Sequence, residues 1–210
     1  MKGRLLLVVA LTAAGAIAVA ESTSMDGANR GSPQLKRPLH LPRIGSGGRC
    51  PVSVARRADT LARAFGAAPA VGPGPVYPIL FSGRRGAKPI AVLALTPSTR
   101  QRVASAPGPP EWVKPGWFVE KVLWISSHHY TGPLLIRGYR LDEPGSLLLQ
   151  WDPFSPARLA LKLRVTTFAS NWWSTATSTY VHHVPGCYAY QIDGTSFSIV
   201  VVFKAVLLAR

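Results

Sequence analysis

Two adjacent histidine pairs, His128-His129 and His182-His183, are the residues best suited to metal chemistry. Four imidazoles could hold zinc or copper if the pairs met in space. In an extended segment, however, neighbouring side chains point to opposite faces, so each pair would offer one ligand inward. No carboxylate or thiolate stands beside them in sequence to complete a set. The expectation is therefore no metal and no other cofactor, with the four histidines at strand ends or in loops. A site built from His128, His129, His182 and His183 is the alternative.

Acid–base and nucleophilic chemistry have less to work with. The chain contains no Gly-x-Ser-x-Gly elbow, no His-Glu-x-x-His and no glycine-rich phosphate loop. From Cys50 onward the carboxylates are Asp59, Glu111, Glu120, Asp142, Glu143, Asp152 and Asp193. Asp142, Glu143 and Asp193 fall in turn-like sequence, which suits solvent better than a shared cleft. No catalytic residue is assigned. Trp172-Trp173, set against a Ser/Thr-rich stretch, is the candidate binding feature: an exposed pair could stack on sugar rings or sit at a membrane interface. The competing and preferred reading has one indole closing the end of the core and the other under a loop, because tryptophan is mostly buried. Trp124 reads as core.

Short strands are the elements that would have to carry these residues. Gly and Pro together make 38 of 210 residues, too many for a helical bundle, while 47% hydrophobic residues argue against wholesale disorder. Runs at 76–81, 89–96, 120–125, 134–140, 146–151 and 159–167 read as strands, the last with Leu159, Leu161, Leu163 and Val165 on one face. Residues 141–145 look like a hairpin connection between two of them. Asp193-Gly194, between 187–192 and 195–205, predicts a tight type I′ hairpin with positive φ at the glycine. A short helix is expected over 53–66. The fold class is mainly β, an antiparallel immunoglobulin-like sandwich of about seven or eight strands.

The N-terminus points to a compartment. Lys2 and Arg4 precede an uncharged apolar run, 5–20, that ends in small residues at Ala18 and Ala20. This pattern fits a cleaved signal peptide over 1–20, with an uncleaved anchor as the alternative. Residues 21–49 read as a disordered basic Gly/Pro/Ser linker, and 50–210 as the sandwich domain. Outside the cytoplasm two cysteines usually pair, so Cys50 and Cys187 are expected to form a disulfide.

Charge is unevenly spread. Residues 21–105 hold thirteen basic and three acidic side chains, against nine and six in 106–210. On an exported chain the expected partners are anionic envelope polymers, lipid headgroups or an envelope protein, rather than nucleic acid. A merely solvated basic surface is the plainer reading.

Cys50-Pro-Val-Ser, Gly72-Pro-Gly-Pro-Val-Tyr-Pro, Lys121-Val-Leu-Trp, Gly132-Pro-Leu-Leu-Ile-Arg-Gly, Pro185-Gly-Cys-Tyr and Gly194-Thr-Ser-Phe follow one another in this order. Together they resemble a group of uncharacterised exported bacterial proteins with an immunoglobulin-like β-sandwich. The resemblance runs from about Cys50 to Ala205 and implies export, a sandwich and residence at the cell surface. It implies no reaction. The functional expectation is an exported, non-enzymatic binding or structural module at the cell envelope. It would be secreted or attached to the outer face of the cytoplasmic membrane. An extracytoplasmic hydrolase or metal-dependent enzyme with a His-containing pocket is the alternative.

Overall fold

The computed structural model describes residues 37–45, 47–54, 70–80, 91–96, 116–127, 129–152, 155–166 and 173–208. The expected signal segment, most of the expected helix, and His128, Trp112 and Trp172 lie outside them. Among the described residues there are nine strands: β1 (Val76–Ile79), β2 (Val92–Leu95), β3 (Trp117–Ser126), β4 (Gly132–Arg140), β5 (Leu147–Gln150), β6 (Ala160–Val165), β7 (Trp173–His182), β8 (Gly186–Asp193) and β9 (Ser198–Leu207). They form one sheet in the order β1-β3-β7-β5 and a second in the order β2-β9-β8-β4-β6.

The two sheets pack face to face because each strand alternates. Val122 and Trp124 of β3, Leu147 and Leu149 of β5 and Val181 of β7 meet Leu134 and Ile136 of β4, Tyr188, Tyr190 and Ile192 of β8, and Val201 and Phe203 of β9 in one core. Gly138 of β4 faces inward where Leu147 crosses from the other sheet; a Cβ there would come within 2.7 Å of Leu147. The sandwich is as expected, and its strand order supplies detail. Taken as A to G, strands β1, β3, β4, β5, β7, β8 and β9 give A-B-E-D over C-F-G, the immunoglobulin arrangement. β2 and β6 are added at the two edges of the second sheet. β2 runs parallel to β9, so that sheet is mixed rather than wholly antiparallel.

β7 was not among the expected strands. Its Ser/Thr-rich sequence hides the alternation, because the inward positions include hydroxyl side chains. Thr177 Oγ1 accepts the Trp124 indole N–H at 2.8 Å, and Thr179 Oγ1 lies 2.9 Å from the Tyr190 hydroxyl. Both threonines are buried, and they satisfy the polar atoms of two large core rings, Trp124 from the neighbouring strand and Tyr190 from the opposite sheet.

Two turns differ from expectation. The 141–145 connection does close through a Tyr139–Ser146 bridge, but β4 and β5 then part into different sheets, each with its own partners. The β8–β9 hairpin forms with Asp193 opposite Ser198, leaving a four-residue loop, 194–197, instead of a two-residue turn. Asp193 stays in the strand because its carboxylate is held among side chains of the sheet, so the reversal begins one residue later. Gly194 is not left-handed. It is required because a Cβ would collide with the Phe197 ring, which packs edge-on against Tyr130.

The stretch read as linker is docked from Arg37 onward. Leu41, Ile44 and Cys50 cover Cys187, Ala189 and Val202 on the outer face of the second sheet. We call residues 37–50 the strap. Beyond it Ser53 is extended, not helical: its N–H donates to Val202 O at 2.9 Å and its hydroxyl accepts the Val202 N–H at 2.9 Å. Cys50 and Cys187 are bonded, with Cα atoms 5.7 Å apart. In antibody domains the disulfide joins the two sheets through the core; here it pins the strap to the outer face of β8.

Replacing both cysteines with serine should lower unfolding free energy by about 2–5 kcal/mol in denaturant titrations. Reducing agent should then affect only the wild type. Gly194→Val should cost about 1–3 kcal/mol through overpacking against Phe197; an unchanged denaturation midpoint would show that the loop yields freely.

Candidate functional site

His129 lies exposed in the turn after β3, while His182 ends β7 and His183 follows it. In the β3–β7 register Trp117 faces His182 and Ser126 faces Trp173. His129 and the second pair are therefore at opposite ends of β3, about 30 Å apart along the strand. They do not converge on a metal. Among the described residues no group of three or more His, Cys, Asp or Glu side chains could hold one.

The second pair also departs from the extended geometry expected for it. His183 has φ 63°, which turns its ring alongside that of His182, with centroids 3.8 Å apart, and the Trp117 indole lies 4.9 Å from His182. This corner is built by its backbone. The Tyr188 hydroxyl donates to the carbonyls of His182 and His183, the latter at 2.9 Å. Arg140 Nη1 donates to the same carbonyls at 3.3 and 3.2 Å. Tyr188 thus fills the place of the tyrosine corner of immunoglobulin folds, near the start of the sixth strand.

Arg140 in turn donates to Asp142 at 2.7 Å and lies 3.1 Å from Glu143. Burial alone would raise the Asp142 pKa. The Arg140 guanidinium and the Cys187 N–H, 3.1 Å away, outweigh it and hold the carboxyl below the ordinary range. Burial pushes the Tyr188 phenol up to about 12 despite the nearby Arg140 charge.

A second polar cluster organises the other end of the outer face. Asp193, expected in an exposed turn, is fully buried. It pairs with Arg137 at 2.6 Å and accepts from Ser198 Oγ at 2.6 Å and Gln191 Nε2 at 3.1 Å. The same groups grip the strap. Arg137 donates to Arg37 O at 2.8 Å, Gln191 donates to Pro38 O at 3.0 Å, and the His40 N–H donates to Gln191 Oε1 at 2.6 Å. Arg37 spans the β8–β9 loop, donating to Gly194 O at 2.8 Å, Thr195 O at 3.0 Å and Phe197 O. No hydrophobic period announces this docking; it rests on side-chain-to-backbone bonds, for which the sequence has no spacing signature.

Trp173 is in the core, so this member of the proposed stacking pair is not offered to solvent. The surface charge is the remaining feature. Asp193 and Asp142 are drawn into ion pairs, and Asp152 accepts from the Ser155 N–H at 2.9 Å. Among the described residues the exposed charged side chains are Arg43, Arg49, Lys121, Arg158, Lys162, Arg164 and Lys204 against Glu143 alone. Within 106–210 the exposed charges are five basic against one acidic, so the modest basic excess of the sequence is carried on the described surface.

No protein-family model matches the chain, and neither the curated proteins nor the solved structures yield a match.

Asp193→Ala should cost about 3 kcal/mol, because it leaves Arg137 without its partner, and should expose the strap to limited proteolysis. Alkaline titration provides a second check. With its folded pKa raised, Tyr188 contributes stability that is complete below pH ~10 and is lost as pH rises through about 12. Tyr188→Phe should flatten that decline, read as unfolding midpoint against pH.

Proposed function

We propose that this protein is an exported, non-enzymatic binding or structural module of the cell envelope that recognises an anionic surface through its folded domain. The observation that carries the reading is the basic excess on the described surface, where seven exposed Lys and Arg side chains stand against Glu143. A cationic surface attracts lipid phosphates or envelope polymers over roughly a Debye length, about 8–10 Å at moderate salt. Export is supported by the apolar run at 5–20 with its small-residue cleavage pattern, and the Cys50–Cys187 bond suits an oxidising compartment. The strand order accords with the sandwich that the resemblance implies.

The purified chain beginning at Glu21 should bind vesicles containing phosphatidylglycerol at low salt and be released as ionic strength rises. Removing residues 21–36 should leave most of this binding intact, since the exposed cations named above lie in the sandwich and strap. Equal retention on neutral vesicles, or retention indifferent to salt, would reject electrostatic recognition.

A further inference from the structure

The exposed cations are unevenly divided between the two sheets. On β6 the core takes Leu161, Leu163 and Val165, so Lys162 and Arg164 project from the outer face of the second sheet. Lys162 pairs with Leu135, and Leu135 with Asp193, which sets these residues in one row across β6, β4 and β8. On β9 the core takes Phe203 and Ala205, so Lys204 projects from the same face, opposite Cys187. Arg43 and Arg49 are exposed on the strap, which lies over that face and ends at the Cys50–Cys187 bond. Five of the seven exposed basic residues thus stand on one side of the sandwich. Lys121 points away from the first sheet, since Val122 and Trp124 flank the core side of β3, and Arg158 is bonded at the β5 edge. The strap and the strands of the second sheet contain a single acidic residue, Asp193, and it is buried against Arg137.

Charge on an edge strand has an ordinary explanation, since it discourages pairing with other chains. That accounts for Lys162 and Arg164. It does not account for Lys204, on a strand held between β2 and β8, or for the strap. The strap starts at the β8–β9 loop with Arg37 and ends at Cys187, so the five cations follow a diagonal. Lys162 and Arg164 lie at the loop end on β6, Arg43 lies along the strap, and Arg49 and Lys204 lie at the far end. Cys187 to Asp193 is about 20 Å along β8, and β9 to β6 is about 14 Å across, which makes the diagonal about 25 Å long.

Shape narrows the partner. The strap is an added layer whose packing and bonds are with β8, β9 and Arg137 of β4, and β6 stands beyond it. The cations therefore sit on two levels, separated by the thickness of one extended chain, roughly 5–10 Å. A flat bilayer meets the strap first. A flexible chain of negative groups follows the step and reaches both levels.

We propose that the outer face of the second sheet, together with its strap, is a binding track for a flexible linear polyanion, contacted through Arg43, Arg49, Lys162, Arg164 and Lys204. This rests on the electrostatic reading above and adds the face and the class of ligand.

The test compares the folded chain with three charge-matched double variants. Lys162→Gln/Arg164→Gln and Arg49→Gln/Lys204→Gln remove charge from the two ends of the track, and Lys121→Gln/Arg158→Gln removes it elsewhere. All are checked for native circular dichroism and titrated with long-chain polyphosphate, tripolyphosphate and phosphatidylglycerol vesicles. Each contact with a flexible polyanion contributes about 0.7 to the slope of log affinity against log salt, or about fivefold at 0.1 M salt. Both track variants should therefore lose about 25-fold on long-chain polyphosphate, and the slope should fall by about 1.4. The third variant should lose far less. Tripolyphosphate cannot span the diagonal and should bind more weakly per phosphate. Equal losses in all three variants, or equal affinity per phosphate for the short and long chains, would overturn the track while leaving general anionic attraction in place. A loss in Lys162→Gln/Arg164→Gln as large on vesicles as on polyphosphate would make the partner a bilayer and overturn the polymer assignment. Wild-type protein that binds neither polyphosphate nor vesicles would defeat the underlying reading as well.

Discussion

All eight residues of β8 are buried, and every other part of the second sheet is arranged to keep them so. A strand of a two-layer sandwich ordinarily has one face in the core and one in water. Here Tyr188, Tyr190 and Ile192 occupy the core face, while Cys187, Ala189, Gln191 and Asp193 form an outer face that also excludes solvent. Burial of that outer face is possible only because the strap lies across it and because Gln191 and Asp193 find complete sets of partners there. Desolvating a carboxylate without such partners would cost several kcal/mol. The Arg137 and Ser198 bonds, the Arg37 bonds to the hairpin loop and the disulfide are thus parts of one solution to a doubly covered strand.

The polar groups of this domain divide by place. Inside, the threonines of β7 serve Trp124 and Tyr190, so aromatic bulk is buried without unsatisfied polar atoms. At the corner after β7, Tyr188 and Arg140 fix the backbone of two histidines that might have been taken for ligands. On the outer face Asp193 is consumed in anchoring the strap. The exposed charges of the described residues are mostly lysine and arginine, in keeping with the basic composition.

Much of the architecture was legible in the sequence, for identifiable reasons. The alternation of Leu161, Leu163 and Val165 against Lys162 and Arg164 marks an edge strand with one buried face, and the pairing of 187–192 with the segment after Gly194 follows from two apolar runs around a turn. The disulfide followed from the cysteine count and the compartment expected from the N-terminal apolar run. β7 was hidden because its inward residues are threonines, whose role depends on rings contributed by other strands. The strap was hidden because its affinity lies in hydrogen bonds to backbone rather than in periodic apolar side chains. The separation of the histidines is a matter of register, which no local pattern carries. The basic surface was visible as net charge, while the positions of the exposed cations depend on tertiary contacts.

The Cys50–Cys187 bond also decides how the domain would carry load. It closes a covalent loop across a sequence separation of 137, so tension between the two chain ends bypasses everything inside that loop. The pull runs along the strap, through the sulfurs into the second residue of β8, and out through β9. Cys187 pairs with Lys204, near the far end of β9, so both strands are drawn from the same end of their hairpin. Their hydrogen bonds are then loaded one rung after another rather than together in shear. The covalent path thus skips the cross-linked body, and tension reaches it only through the strands that hold β9, which are β8 on one side and β2 on the other.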